Sequence, residues 1–257
     1  MGANVSESVA LTGADVLQAG GTTGNTTGAG IKVAVVDLGF NGLASAITAG
    51  ELPGTTIGVD YSGTGLESGT AHGVGVAEHV LDMAPGVEFH CLKVNDEVDL
   101  QNAADYIETN GIRIANHSVG WVIPSYYDDT GPINGIINES HDNDGVFWTV
   151  SAGNDAERHW RGSWLDSDGD DWLEFSGNDE TMRLTSASGT VSLFLNWDQY
   201  PTLGTDIDLY VVDKRNKVVA SSEAAQTGSQ APSEALSFTY IGPVPVGGMT
   251  GHALWKL

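Results

Sequence analysis

Three polar residues stand at the margins of apolar runs. Asp37 closes IKVAVVD, His72 opens HGVGVAEHVLDM, and Asn154 closes VFWTVSAGN. An aspartate can orient an imidazole and stabilise its charged form, a histidine can act as general base, and an asparagine can donate to an oxyanion. A second group is the loop Asp166-Ser167-Asp168-Gly169-Asp170-Asp171, whose alternating carboxylates have the spacing that wraps oxygens around one Ca²⁺. The loop lacks the sixth-position Gly and twelfth-position Glu of a full EF-hand, and a solvated acidic loop fits the same residues. Asp206 and Asp208 form a further acidic pair beside a strand-like run.

The elements that must position the first group alternate in type. IKVAVVD (31–37) is a β-branched run of the kind buried on both faces of a parallel sheet. HGVGVAEHVLDM (72–83) places Val76, Val80 and Met83 at helical spacing, and Pro85-Gly86 stops it. VEFHCLKV (87–94) predicts a strand and DLQNAADYIETNG (99–111) a helix with Gly111 as its C′ residue. IRIANHSVG (112–120) predicts a strand, residues around 131–143 a weaker helix, and VFWTVSAGN (146–154) another strand. This alternation means βαβ units and a parallel sheet, with helices on both faces. In such sheets ligands bind beyond the carboxyl ends of the strands, which singles out Asp37 and Asn154, with His72 at a helix start nearby. From about residue 160 the texture changes to short strand candidates, TVSLFLNWD, DIDLYVVD, KVVASS, ALSFTYIG and HALWKL, parted by turn residues. That half predicts a mostly antiparallel β-sandwich, giving a division into 1–158 and 159–257.

Composition narrows the partners. With 34 acidic against 10 basic residues the formal net charge is -24, which argues against nucleic acid and anionic membrane surfaces. Most of these carboxylates read as a solubilising shell. The single cysteine, Cys91, excludes an intrachain disulfide and reads as a buried structural thiol. No run is long and apolar enough to span a bilayer. The start, MGANVSESVALTGAD, shows no positive n-region or apolar h-region of a secretory signal. His79, His90 and His117 read as structural or surface groups.

The segments GAGIKVAVVDLGF, GTAHGVGVAEHV, MAPGVEFHCLKV, ANHSVGW and TVSAGND together resemble, in order and register, the landmarks of the subtilisin-like serine proteases (peptidase S8 type) over residues 12–156. The resemblance implies a triad aspartate at Asp37, a triad histidine at His72 and an oxyanion donor at Asn154. It makes Ser118-Val119-Gly120 and Ser151-Ala152-Gly153 the segments flanking the specificity pocket, the first pairing with an extended polypeptide substrate by strand addition. Two positions depart from the family: Gly73-Val74 replaces Gly-Thr after the histidine, and Glu78 stands where a small residue is usual. The family's G-T-S-x-A-x-P nucleophile motif is missing; Gly228-Ser229-Gln230-Ala231-Pro232 comes nearest but lacks the Thr and is one residue short before the Pro. The stretch from Thr190 to Ser222 resembles the β-sandwich of pre-peptidase C-terminal type, which some subtilases carry between asparagine and nucleophile.

The expectation is therefore a secreted, extracellular serine endopeptidase whose serine lies outside these residues. No cofactor is needed for the chemistry, and a structural Ca²⁺ is a candidate at Asp166, Asp168 and Asp170. The rival readings are a non-catalytic peptide-binding protein and a calcium-dependent binding module.

Overall fold

The computed structural model describes residues 5–20, 26–123, 125–126, 128–156, 158–186, 189–201, 204–213, 215–228, 230–239 and 249–256. The chain divides into two compact units: Met1–Gly120 with Pro132–Asn154, and Trp121–Gly131 with Asp155–Leu257.

The first unit opens with two short helices, α1 (Ser8–Thr12) and α2 (Ala14–Gln18). A sheet follows: β1 (Lys32–Asp37), β2 (Ile57–Asp60), β3 (Glu88–Lys93), β4 (Ile114–His117) and β5 (Phe147–Val150), in the order β2-β3-β1-β4-β5. All four strand pairings are parallel. Helix α3 (Leu43–Ala49) lies between β1 and β2, α4 (His72–Met83) between β2 and β3, α5 (Glu97–Thr109) between β3 and β4, and α6 (Pro132–Asp144) before β5.

Side-chain alternation along the strands assigns the helices to faces. Val33, Val35, Phe89 and Cys91 form one core with Leu43 and Ala46 of α3 and Val74 and Ala77 of α4. On the other face the His90 ring meets Tyr106 of α5 at 5.7 Å between centroids, and Trp148 donates to Ser140 Oγ of α6 at 3.1 Å. The expected α/β sheet with helices on both faces is what the chain forms. Burial pushes the Cys91 thiol up to about 12, so it stays a neutral apolar group.

Two local readings need correction. Helix α4 buries Gly73, Val74 and Ala77, while the expected Val76, Val80 and Met83 are only partly covered. Gly73 lets the first turn of the helix approach the end of β1 closely, and Val76 and Val80 pack against the same core from its margin. Helix α5 begins earlier than expected because Asp96 caps it, accepting from the Asp99 N–H at 3.0 Å, while Asp99 reaches back to the Asn95 N–H at 2.9 Å. Its far end follows expectation, with Gly111 at φ +64°.

The second unit holds two antiparallel sheets. One has the order β6-β11-β8-β9, from β6 (Met182–Ser186), β8 (Asp208–Val212), β9 (Val218–Ser222) and β11 (Met249–Lys256). The other pairs β7 (Thr190–Asn196) with β10 (Ser233–Thr239). Leu195 of β7 and Leu209 of β8 share a core with Ile207, and Trp164, Leu193, Trp197 and Leu236 pack against it.

Candidate active site

Asp37 is the last residue of β1 and His72 the first of α4, so both lie at the carboxyl edge of the sheet. His72 Nδ1 donates to Asp37 Oδ2 at 2.7 Å, and the Leu38 N–H donates to Asp37 Oδ1 at 2.8 Å. A carboxylate only accepts, so the Asp37 contact places the neutral ring's proton on Nδ1 and leaves the Nε2 lone pair available as a base. The Asp37 side chain is 2% exposed against 55% for His72, an anchored orienter beneath an accessible base.

Two glycines make this approach possible. A Cβ on Gly73 would lie 2.7 Å from the Gly39 carbonyl oxygen, 2.7 Å from the Phe40 ring and 2.9 Å from the Asp37 Cβ. The Gly73 N–H instead donates to the Gly39 carbonyl at 3.1 Å, docking the first turn of α4 on the end of β1. Gly39 has the same role toward the incoming loop, since a Cβ there would meet Ser68 O, Thr70 O and Thr70 N within 2.8 Å.

One charged residue at this edge escaped the sequence reading. Lys93, the last residue of β3, is 3% exposed, and it pairs in register with Asp37 on one side and with Asp60 of β2 on the other. The only signal was a cation in a strand otherwise apolar from Phe89 to Val94 except for His90, in a chain with few cations.

The segments that would flank a specificity pocket lie together just past β4 and β5. The Ser151 N–H donates to the His117 carbonyl at 3.1 Å, and Ser151 Oγ donates to the Val119 carbonyl at 3.1 Å. Val119 is buried, Ser118 donates to Asn116 Oδ1 at 2.8 Å, and Gly120, Ala152 and Gly153 are exposed. Asn154 is exposed, four residues past β5 and beyond Gly153, which takes φ +80°. A groove beside His72 is lined by Val76, His79, Val80, Met83 and Asn116, among others. On the same side of the sheet Ile114 and Phe147 are 37% and 59% exposed. Ser229 lies outside the described residues. No described residue hydrogen-bonds to His72 Nε2.

In the second unit Asp166, Asp168 and Asp170 each bring a carboxylate oxygen to within 4.8 Å of the others. Asp166 is engaged by its own loop, accepting from the N–H groups of Gly169 at 2.7 Å and Asp171 at 3.0 Å. Desolvation and the charges of Asp170 and Asp166 raise the Asp168 carboxyl above its ordinary value. The other acidic pair is drawn into side-chain contacts, with Tyr210 donating to Asp208 Oδ2 at 2.9 Å and the Gln226 N–H to Asp206 Oδ1 at 3.0 Å.

Fold and edge together define an α/β protein that carries an aspartate–histidine pair at the carboxyl ends of a parallel sheet. No protein-family model matches the chain, and no curated protein does. Among solved structures, one described as the crystal structure of a lanthipeptide protease is similar at 23% identity over 48% of this chain, with a TM-score of 0.38. The match covers 39% of that chain.

Proposed function

We propose that this chain is the base-bearing part of a subtilisin-type serine endopeptidase acting outside the cell. The observation that carries the reading is the 2.7 Å contact from His72 Nδ1 to a buried Asp37 at the carboxyl edge of the sheet. Asp37 orients the ring, and His72 Nε2 takes the proton of a serine hydroxyl as its oxygen bonds to the scissile carbonyl carbon. Asn154 donates to the oxyanion so formed. The protonated His72 then gives its proton to the departing amine, and water releases the acyl group by the same route in reverse. The extended polypeptide lies along Ser118–Gly120, with Ser151–Gly153 on the other side of the pocket.

The serine belongs to a segment outside residues 1–257, seated over the exposed Ile114 and Phe147 beside the groove at His72. The second unit, as a β-sandwich module, is then an insertion before that segment, and Ca²⁺ held by Asp166, Asp168 and Asp170 stabilises it.

A fluorophosphonate probe, which labels activated serines, tests the reading. The 257-residue chain is expected to stay unlabelled, and a chain extended into the following coding sequence to be labelled at one serine. In the extended chain Asp37→Asn should lower kcat by about 10⁴-fold with little change in folding. Labelling within residues 1–257 would place the nucleophile elsewhere. Silence from the extended chain would favour the non-catalytic peptide-binding protein, which keeps the groove without the reaction.

A further inference from the structure

We propose that Lys93 is the positioning residue for the His72 base, acting through the loop that joins β2 to α4. The proposal rests on the reading of Asp37 and His72 as orienter and base. In the first unit, strand register sets Asp60, Lys93 and Asp37 in one row across β2, β3 and β1, a cation between two carboxylates. An ammonium has three donors and no acceptor, and its burial is costly unless those donors are taken up. Lys93 Nζ donates to Thr64 Oγ1 at 2.7 Å, the Gly65 carbonyl at 2.7 Å and Ser68 Oγ at 2.5 Å, with the Ser68 carbonyl at 3.3 Å. Every one of these acceptors lies in the five residues 64–68.

From there the path to His72 is short and fixed at each step. The Phe40 N–H donates to the Leu66 carbonyl at 3.1 Å and the Asn41 N–H to the Thr70 carbonyl at 3.0 Å, pinning the loop to the residues after Asp37. Gly39 leaves room for Ser68 and Thr70 and for nothing larger. Thr70 Oγ1 then accepts the His72 N–H at 3.1 Å, setting the residue that opens α4. At its start the loop is held by Asp60, which accepts from Ser62 Oγ at 2.6 Å and the Gly65 N–H at 2.7 Å. The hydroxyls of Ser62, Thr64 and Ser68 run in contact from Asp60 to Lys93, at 2.8 Å and 3.1 Å between neighbours. The Ser62 hydroxyl most of all, against some desolvation, holds the Asp60 carboxyl below its ordinary value, and the Lys93 charge adds to the effect. Lys93 thus touches neither member of the pair. It fixes the loop that fixes one of them.

The histidine tautomer reads this directly, because an imidazole held by Asp37 keeps its proton on Nδ1 and a released one does not. Nitrogen-15 NMR of His72 in the 257-residue chain, at a pH where the ring is neutral, should show the Nδ1–H form in excess. Lys93→Met keeps the length of the side chain and removes its donors, and should lower the Nδ1–H to Nε2–H ratio by about tenfold, the size of one charge-assisted hydrogen bond. Asp37→Ala supplies the ratio for a ring without its acceptor. Where Lys93→Met costs the chain the amide signals of β1 and β3, Ser68→Ala decides instead, and it should move the ratio in the same direction by a smaller factor. An unchanged ratio in the folded Lys93→Met chain, or in Ser68→Ala, overturns the proposal and leaves the Asp37–His72 reading standing. A parent chain already in the Nε2–H form overturns both.

Discussion

Both units place acidic side chains on loops and edges, but they hold them by different means. At the edge of the first unit Asp37 is 1% exposed, and its histidine partner arrives from 35 residues away. In the second, Asp166 is answered by the N–H groups of residues three to five positions on, and Asp168 and Asp170 face solvent. A carboxylate satisfied by its own turn asks nothing of the fold around it. One satisfied from a distant segment requires two strands, a loop and a helix start to be correct together. The aspartate–histidine pair is therefore as rigid as the core behind it, and the acidic loop is free to exchange one set of partners for another.

Truncation behind each site is the strongest way to break that comparison. Phe40 is fully buried and lies against the first turn of α4, so Phe40→Ala should cost the first unit about 3–5 kcal/mol. It should also loosen the docking of Gly73 on Gly39. Leu165, next to Asp166 and 51% exposed, is the counterpart, and Leu165→Ala should change stability by no more than about 0.5 kcal/mol. Hydrogen exchange read peptide by peptide separates the two units. Equal losses in both variants would mean that the acidic loop also leans on a packed core.

Acidification should split the units by sign. His117 in β4 is fully buried, and desolvation pushes its pKa down to about 4 from 6.5. The unfolded chain then binds the proton more readily, so stability is present above pH 6.5 and is lost as pH falls toward 4. The shift corresponds to roughly 3 kcal/mol at most. Asp208 in β8 has the opposite sign. Desolvation first, then the charges of Asp206, Glu223 and Glu234, raise its carboxyl above 3.8 despite the bond from Tyr210. Its charged form burdens the folded state, and lowering the pH through its folded value relieves that burden. The contrast is read as two differences in pH slope: His117→Gln should flatten the slope of the first unit, and Asp208→Asn that of the second. Slopes unmoved by either variant would assign the pH dependence to other groups.

How much of this was legible in the sequence follows the same division. IKVAVVD reads as a strand because a double-sided burial leaves a continuous β-branched run, and residues 72–83 read as a helix because Pro85-Gly86 ends the period. Those two limits place Asp37 and His72 on one edge before any coordinate is known. Helix α3 and strand β2 were not legible. LASAITA spans only seven residues between Gly42 and Gly50, both at positive φ, and IGVD has a glycine where a packing side chain would mark the period. Lys93 was hidden for a different reason. Nothing local distinguishes a lysine held by a loop 25 to 29 residues away from one that reaches solvent. Pairing across the sheet is what gives it meaning.

The smallest effect concerns the acidic loop. Replacing Asp166, Asp168 and Asp170 together by Asn keeps a side-chain oxygen for the N–H bonds of the turn and removes three like charges. Without divalent cations, the triple variant should therefore melt close to the parent, because lost charge-assisted bonds and relieved repulsion oppose each other. Calcium separates the chains. Three hard oxygens already within 4.8 Å of one another fit the needs of a hard cation, and a bound ion stabilises the folded chain by mass action. Calorimetric titration of Ca²⁺ should give a heat in the parent that the triple variant loses, together with a rise in parent melting temperature. A heat retained in the variant moves the ion to the next acidic pair, Asp206 and Asp208. A parent that shows neither heat nor a shift in melting leaves the loop as a solvated turn, its Asp166 carboxylate already answered by the N–H groups of Gly169 and Asp171.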